Sequence, residues 1–296
     1  MKNTVLYGPA SERLREIPPE SVQTCVCSPP YWGLRDYEHS DQLGCEDTPE
    51  GFCMGLALIF EQVKKVLKPD GTLWLNLGDS YVRPLGKGQH KPGDPGKQDY
   101  IYSRGGGKAA TEVDMSKCKG LKPKDLVGIP WRAALTLQKF GWYLRSDIVW
   151  NKPNAKPEPV EDRPVHSHEY VFLFSKSETY YFDPKALREP ASKGFRNGRS
   201  VWDIKTEIYK GAHFAVMPTS LAAKCIEAGS RKGDLILDPF AGSGTTFAVA
   251  TDLGRDYLGI ELNEEKYRGL IEERLAKASS SREDKDTFNM MMDLRG

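Results

Sequence analysis

Short apolar runs alternate along this chain with longer stretches in which apolar positions recur every three or four residues. The runs at 22–27, 72–77, 146–150, 170–174, 235–237 and 257–260 predict buried strands, because a strand covered on both faces reads as a near-continuous apolar segment. Between residues 55 and 67, Leu56, Ile59, Phe60, Val63 and Leu67 share one helical face, and Lys68-Pro69-Asp70-Gly71 follows as a stop and turn. Residues 130–140 and 220–227 read as helices in the same way. Strands alternating with helices predict an α/β fold with a mainly parallel sheet. No internal repeat is visible.

The 296 residues suffice for one large α/β domain or two small ones. At 39% hydrophobic and 28% charged residues, the composition is that of a globular chain and excludes a mostly disordered one. Six cysteines are too sparse for a disulfide framework, so reduced thiols in a cytosolic protein are expected. The opening MKNTVLY lacks the apolar core of a secretory signal, and no apolar run is long enough to span a bilayer. A cytoplasmic protein without a membrane partner is the expectation. His39, Cys45, Cys53 and Cys118 match no compact zinc-ligand spacing, so no metal is expected.

Net charge changes the picture only once it is divided. The whole chain carries +1, which by itself argues against a nucleic-acid partner. Residues 83–124 hold ten Lys/Arg against four Asp/Glu, and residues 185–210 hold seven against three, so two basic islands sit on a body of −9. Such islands either focus a field toward a polyanion or are ordinary solvated loops. The first island is punctuated by glycine and proline and predicts a long loop, a feature that is usually functional.

Two segments suggest chemistry. In the first, Leu235-Ile236-Leu237-Asp238-Pro239-Phe240-Ala241-Gly242-Ser243-Gly244-Thr245-Thr246, a strand enters a Gly-x-Gly turn and a helix follows. Glycines let backbone approach a ligand, and an acid about twenty residues on, here Glu261, suits ribose hydroxyls. This predicts a nucleoside-cofactor half-site. A nicotinamide dinucleotide is one candidate, but Phe247 stands where the third fingerprint glycine belongs. Only about fifty residues follow the loop, so the rest of the sheet must come from earlier in the chain. In the second segment, the strand at 22–27 runs directly into Ser28-Pro29-Pro30-Tyr31. A diproline is extended, lacks N–H donors and keeps its carbonyl acceptors. A hydroxyl and an aromatic face beside those carbonyls suit a flat ring bearing an amine.

At these two segments the chain resembles the S-adenosylmethionine-dependent amino-methyltransferases of DNA. Ser28-Pro29-Pro30-Tyr31 matches the family's catalytic motif, and the glycine segment matches its methyl-donor motif. The catalytic motif comes first, which resembles the circularly permuted beta group. Further likenesses are Leu67-Lys68-Pro69-Asp70-Gly71-Thr72-Leu73, Trp150-Asn151-Lys152-Pro153 and His213-Phe214-Ala215-Val216-Met217-Pro218. The resemblance implies a Rossmann-like methyltransferase sheet over residues 1–278. Its catalytic half would be 1–182 with the basic loop 83–124 inserted. A short recognition segment at 185–210, a cofactor half at 211–278 and a flexible tail at 279–296 would follow. Two departures stand out: Gly8-Pro9 replaces a frequent Gly-Asp, and the recognition segment is short.

The resemblance also implies roles. Ser28, Pro29, Pro30 and Tyr31 would be catalytic, with the Ser28 hydroxyl and Pro29 carbonyl drawing the target amine toward tetrahedral geometry and Tyr31 holding a flipped base. Asp238, Pro239, Phe240, Ala241, Gly242, Ser243, Gly244, Thr245 and Thr246 would hold S-adenosyl-L-methionine with Glu261, Phe214 and Thr219. Trp32 and Arg35 beside the motif, Arg104, Lys117, Lys119, Lys122 and Lys124 in the first island, and Arg196 and Arg199 in the second are the expected DNA contacts. A serine at the first motif position leans toward cytosine N4, with adenine N6 as the alternative. The implied partner is double-stranded DNA, met at the nucleoid, with a homodimer and a cognate restriction nuclease as further candidates. Cys27 beside the motif invites comparison with cysteine-nucleophile methylation of cytosine carbon-5, but the order Cys-Ser-Pro-Pro predicts a core-facing strand residue.

Overall fold

The computed structural model describes residues 1–33, 39, 41–82, 101–102, 118–207 and 216–293, with backbone alone at 101–102 and 280–293. In chain order the strands are β1 (Thr4–Tyr7), β2 (Val22–Cys27), β3 (Leu67–Leu77), β4 (Tyr81–Val82), β5 (Ile101–Tyr102), β6 (Tyr143–Asn151), β7 (His168–Ser175), β8 (Glu189–Pro190), β9 (Phe195–Arg196), β10 (Val201–Asp203), β11 (Leu235–Asp238) and β12 (Asp256–Glu261). The helices are α1 (Ala10–Arg13), α2 (Pro49–Val66), α3 (Ile129–Lys139), α4 (Thr219–Gly229), α5 (Thr245–Asp252) and α6 (Glu264–Asp293).

One sheet dominates, in the order β1-β12-β11-β2-β3-β7-β6-β10. Its pairs are parallel except where β7 meets β3 and β6. The sheet is covered on both faces, which is why its strands read as continuous apolar runs. Cys25, Cys27, Leu73, Leu75 and Leu77 join the core under α2 and α3, whereas Val26, Trp74 and Ile236 join the core under α4. A third cluster of Ala241, Phe247, Tyr267 and Ile271 fixes α5 and α6 together beside β12.

Several boundaries differ from the sequence expectation for local reasons. Helix α2 starts at Pro49, six residues before the expected start, because Thr48 caps it by accepting the Gly51 N–H at 3.0 Å and Pro49 opens the first turn. Lys68-Pro69-Asp70-Gly71 is a bulge within β3, between the pairs Val22–Leu67 and Thr24–Thr72, and not a break before it. The 185–210 segment supplies the β8–β9 hairpin and then β10, an edge strand parallel to β6. Helix α6 continues to Asp293, so the backbone at 279–293 is helical where a flexible tail was expected. The long basic loop at 83–124 lies outside the described residues except for 101–102 and 118–124. Among the described residues, no helix is long and apolar enough to cross a membrane, and no three metal-ligating side chains gather.

Candidate functional site

The site forms where the sheet changes direction. From β11 the chain crosses through α5 to β12 on one side, and from the adjacent strand β2 it crosses through α2 to β3 on the other. The crevice beyond the carboxyl ends of two such strands is where open α/β sheets bind ligands. The glycine loop leaves β11 there, and Ser28-Pro29-Pro30-Tyr31 leaves β2 there. Strand register places Leu237 beside Cys25, and the Thr246 hydroxyl of α5 lies 3.4 Å from the Val26 carbonyl. The two sequence motifs thus meet at the carboxyl ends of two adjacent central strands.

The glycine loop is held by its own hydrogen bonds. Asp238 accepts the Phe240 N–H at 3.0 Å and the Thr246 hydroxyl at 2.7 Å. Glu261 accepts the Gly242 N–H at 2.7 Å and the Asn263 N–H at 2.9 Å. The Ala241 N–H goes to the Ile260 carbonyl, and the Gly244 N–H goes to the Ala241 carbonyl. Gly242 and Gly244 have φ of +51° and +77°, a region that a side chain strains to enter. Phe247, which stands where a dinucleotide fingerprint would have glycine, packs its ring over Gly259 of β12. A Cβ built at Gly259 would lie 2.0 Å from that ring.

These bonds decide what kind of ligand fits. A pyrophosphate cradle needs free N–H groups, and those of Phe240, Ala241, Gly242 and Gly244 are already engaged. Two buried carboxylates line the loop instead. Burial pushes the Asp238 carboxyl up to about 6, against the bonds from Thr246 and Phe240. Burial pushes Glu261 up to about 7, assisted by the charge of Asp238 and opposed by N–H bonds from Asn263 and Gly242. A pocket of this kind disfavours a phosphate and favours ribose hydroxyls and a cationic ligand. S-adenosyl-L-methionine, a nucleoside with a sulfonium and an ammonium group, fits this donor and acceptor set.

Around Tyr31 the structure assembles a network that the sequence reading missed. The Ser28 hydroxyl donates to the Tyr31 oxygen at 3.2 Å, and the Tyr31 hydroxyl donates to Glu169 Oε2 at 2.7 Å. Asn76 of β3 donates its amide to the same Glu169 oxygen at 3.1 Å, and Lys152 donates to Oε1. Burial alone would raise Glu169, but the Lys152 ammonium and the three hydrogen bonds outweigh it and hold the carboxyl below its ordinary value. Gly78 makes room for the cluster, since a Cβ there would lie 2.7 Å from the Tyr31 ring. Trp150-Asn151-Lys152-Pro153 had marked Lys152, but Glu169 stands far away in sequence, at a register position opposite Trp150.

Other expected residues fall in different places. Trp32 is a correction: it is 1% exposed, packs in the core and donates its ring N–H to the Glu46 carbonyl at 2.7 Å, so it does not face DNA. Cys27 is fully buried beside Cys25, and burial raises its thiol well above the ordinary value, as a core-facing strand residue requires. Thr219 opens α4 and gives both its N–H and its hydroxyl to Glu207, at 3.1 and 2.8 Å. Lys119, Lys122 and Lys124 are exposed, with Lys122 paired to Asp125 and Lys124 to Asp162. Arg196 and Arg199 both pair with Glu189. Arg35, Arg104, Lys117 and Phe214 lie outside the described residues. Beside the loop, the Gly8 N–H donates to the Glu261 carbonyl at 2.9 Å, and Pro9 stands at the N-cap of α1.

Comparison with known proteins gives a consistent pattern. A family model described as DNA methylase, of the N6/N4 type, matches residues 22–273. The Type II methyltransferase M.XycI of Xanthomonas campestris pv. cyanopsidis is 50% identical over 280 residues, covering 94% of this chain and 89% of its own. The Type II methyltransferase M.SmaI of Serratia marcescens is 48% identical, covering 92% and 90%. Among solved structures, a putative DNA modification methylase of Thermus thermophilus complexed with S-adenosyl-L-methionine is 25% identical. It superposes with a TM-score of 0.63, covering 93% of this chain and 94% of that one. The cytosine-N4-specific PvuII DNA methyltransferase shares the fold at a TM-score of 0.66 and 20% identity, covering 96% and 92%.

Proposed function

As a member of the N6/N4 DNA methylase family, the chain is an S-adenosyl-L-methionine-dependent DNA methyltransferase, and we propose that its target is the exocyclic N4 amine of a cytosine flipped from duplex DNA. The observation that carries this reading is the meeting of Ser28-Pro29-Pro30-Tyr31 with the Asp238 and Glu261 pocket at the turning point of the sheet. The serine at the first motif position supports cytosine. The precedence of β2 over its neighbour β11 in the chain supports a circularly permuted arrangement.

The bound donor supplies a methyl carbon made electrophilic by positively charged sulfur. Asp238, Pro239, Phe240, Ala241, Gly242, Ser243, Gly244, Thr245 and Thr246 would hold it, Glu261 would accept from its ribose hydroxyls, and Thr219 would join them, with Phe214 assigned to the same pocket by the resemblance alone. Delocalisation into the ring makes the base amine a poor nucleophile. The Ser28 oxygen and the Pro29 carbonyl accept its two N–H bonds and draw the nitrogen toward tetrahedral geometry, so that its lone pair points at the methyl. Tyr31 stacks on the extruded ring. Positioning and charge stabilisation supply the rate, without a covalent intermediate. The Type II names of the relatives support a cognate restriction nuclease as cellular partner, and a DNA substrate supports a place at the nucleoid in the cytoplasm.

The test is to incubate the protein with duplex DNA and S-adenosyl-L-methionine, digest the DNA to nucleosides and weigh them. N4-methyldeoxycytidine is expected. N6-methyldeoxyadenosine alone would move the target to adenine.

A further inference from the structure

We propose that Ser28, Tyr31 and Glu169 form a path that carries the proton away from the target amine as the methyl arrives. The inference rests on the methyltransferase reading and assigns to Glu169 a function that the motifs do not. The geometry is a chain of hydrogen bonds, each pointing outward from the reaction centre: Ser28 Oγ to Tyr31 Oη at 3.2 Å, then Tyr31 Oη to Glu169 Oε2 at 2.7 Å. The Tyr31 hydroxyl also lies 3.3 Å from Asn76 Oδ1, but its shorter bond goes to Glu169, the better proton acceptor. Here the acceptor at the end of the chain is a carboxylate held by a lysine and an asparagine.

The proton balance is straightforward. The amine nitrogen bonds to the methyl carbon while the carbon–sulfur pair stays on sulfur, and the nitrogen becomes strongly acidic. One amine proton passes to Ser28 Oγ, the serine's own proton to Tyr31 Oη, and the tyrosine's proton to Glu169 Oε2. No strong base is required, because the proton leaves only once the nitrogen has begun to carry positive charge. The ionisable groups facing Glu169 among the described residues are Lys152, just after β6, and Tyr31, in the loop after β2, with neutral Asn76 from β3. Lys152 is also 4.4 Å from the Trp150 ring centre, so its ammonium is fixed from two sides. With Lys152 in place the carboxyl stays ionised at working pH and is ready to accept.

Glu169 acts through Tyr31 and is a positioning residue for the proton path. The test compares Glu169→Gln, Tyr31→Phe and the double variant in single turnover on duplex DNA. Each single variant should lose about 100-fold in rate with donor affinity unchanged, and the double variant should lose no more, because one path is broken once. Phenylalanine keeps the packing of Tyr31, so Tyr31→Phe remains informative even if Glu169→Gln does not fold. A readout independent of turnover comes from the free protein. The 13C carboxyl signal of Glu169 should titrate below 4.5 and move upward in Lys152→Met. Full rate in either single variant, losses that multiply in the double variant, or an unmoved Glu169 titration would overturn the path. If the wild-type chain itself moves no methyl to DNA, it is the underlying methyltransferase reading that fails.

Discussion

At the scale of single residues, the donor pocket makes a sharp prediction about pH. Asp238 and Glu261 are protonated more readily in the folded chain than in the unfolded one, at about 6 and about 7 against ordinary values of 3.8 and 4.5. For acids raised in this way, the stabilising contribution is complete below the ordinary values and is lost as pH climbs through the folded ones. With Glu261 on the donor ribose, as proposed, donor binding would run the other way, because ribose hydroxyls donate to an ionised carboxylate. Calorimetric affinity for S-adenosyl-L-methionine should therefore be roughly tenfold weaker at pH 6 than at pH 8. Glu261→Gln should bind more weakly and flatten that dependence. Thermal melting of the ligand-free variant should also lose most of the decline in stability between pH 5 and 8. A wild-type affinity independent of pH would remove Glu261 from the donor site. That both acids lie against the glycine loop was legible in the sequence, since one ends the strand before the loop and the other ends the next strand. Glu169 was not legible, because only the antiparallel placement of β7 beside β3 brings it to Tyr31. Trp32 was misread for a related reason: adjacency to a motif says nothing about which way a side chain turns.

At the scale of elements, α5 is set on β12 by Phe247, whose ring occupies the space a side chain at Gly259 would need and stacks on Tyr257 with centroids 5.1 Å apart. Gly259→Ala should cost about 1–3 kcal/mol by overpacking, read as a lower melting temperature. Adding Phe247→Leu should recover part of that loss, whereas an undisturbed melt for Gly259→Ala would show that α5 is free to move away. The position of Phe247 was evidence in the sequence against a dinucleotide fingerprint, and the structure gives the physical reason. Buried central strands were read well because two covered faces leave an unbroken apolar signal. Edge strands β1 and β10 escaped, being four and three residues long with no such run. The early start of α2 was available from Thr48-Pro49, a cap and first-turn signal that the apolar period alone does not contain.

At the scale of the whole molecule, the +1 total conceals an acidic body with basic islands. Within the described residues the islands are partly neutralised, since Lys122 pairs with Asp125, Lys124 with Asp162, and Arg196 and Arg199 share Glu189. Exposed pairs of this kind are weak and can be exchanged for phosphate. DNA affinity should fall steeply with salt. Replacing Lys117, Lys119, Lys122 and Lys124 together by glutamine should flatten the slope by about one for each lysine that reaches phosphate. An unchanged slope would return this segment to the ordinary solvated surface.

The reaction itself joins all three scales, because it needs the Ser28 motif, the strand placement beside the donor loop and a DNA partner at once. Sequencing the modified bases in DNA from cells that express the chain, against cells that do not, tests this most directly. New N4-methylcytosine at one recurring sequence is expected. Methylated adenine alone, or no new methylated base, would contradict it.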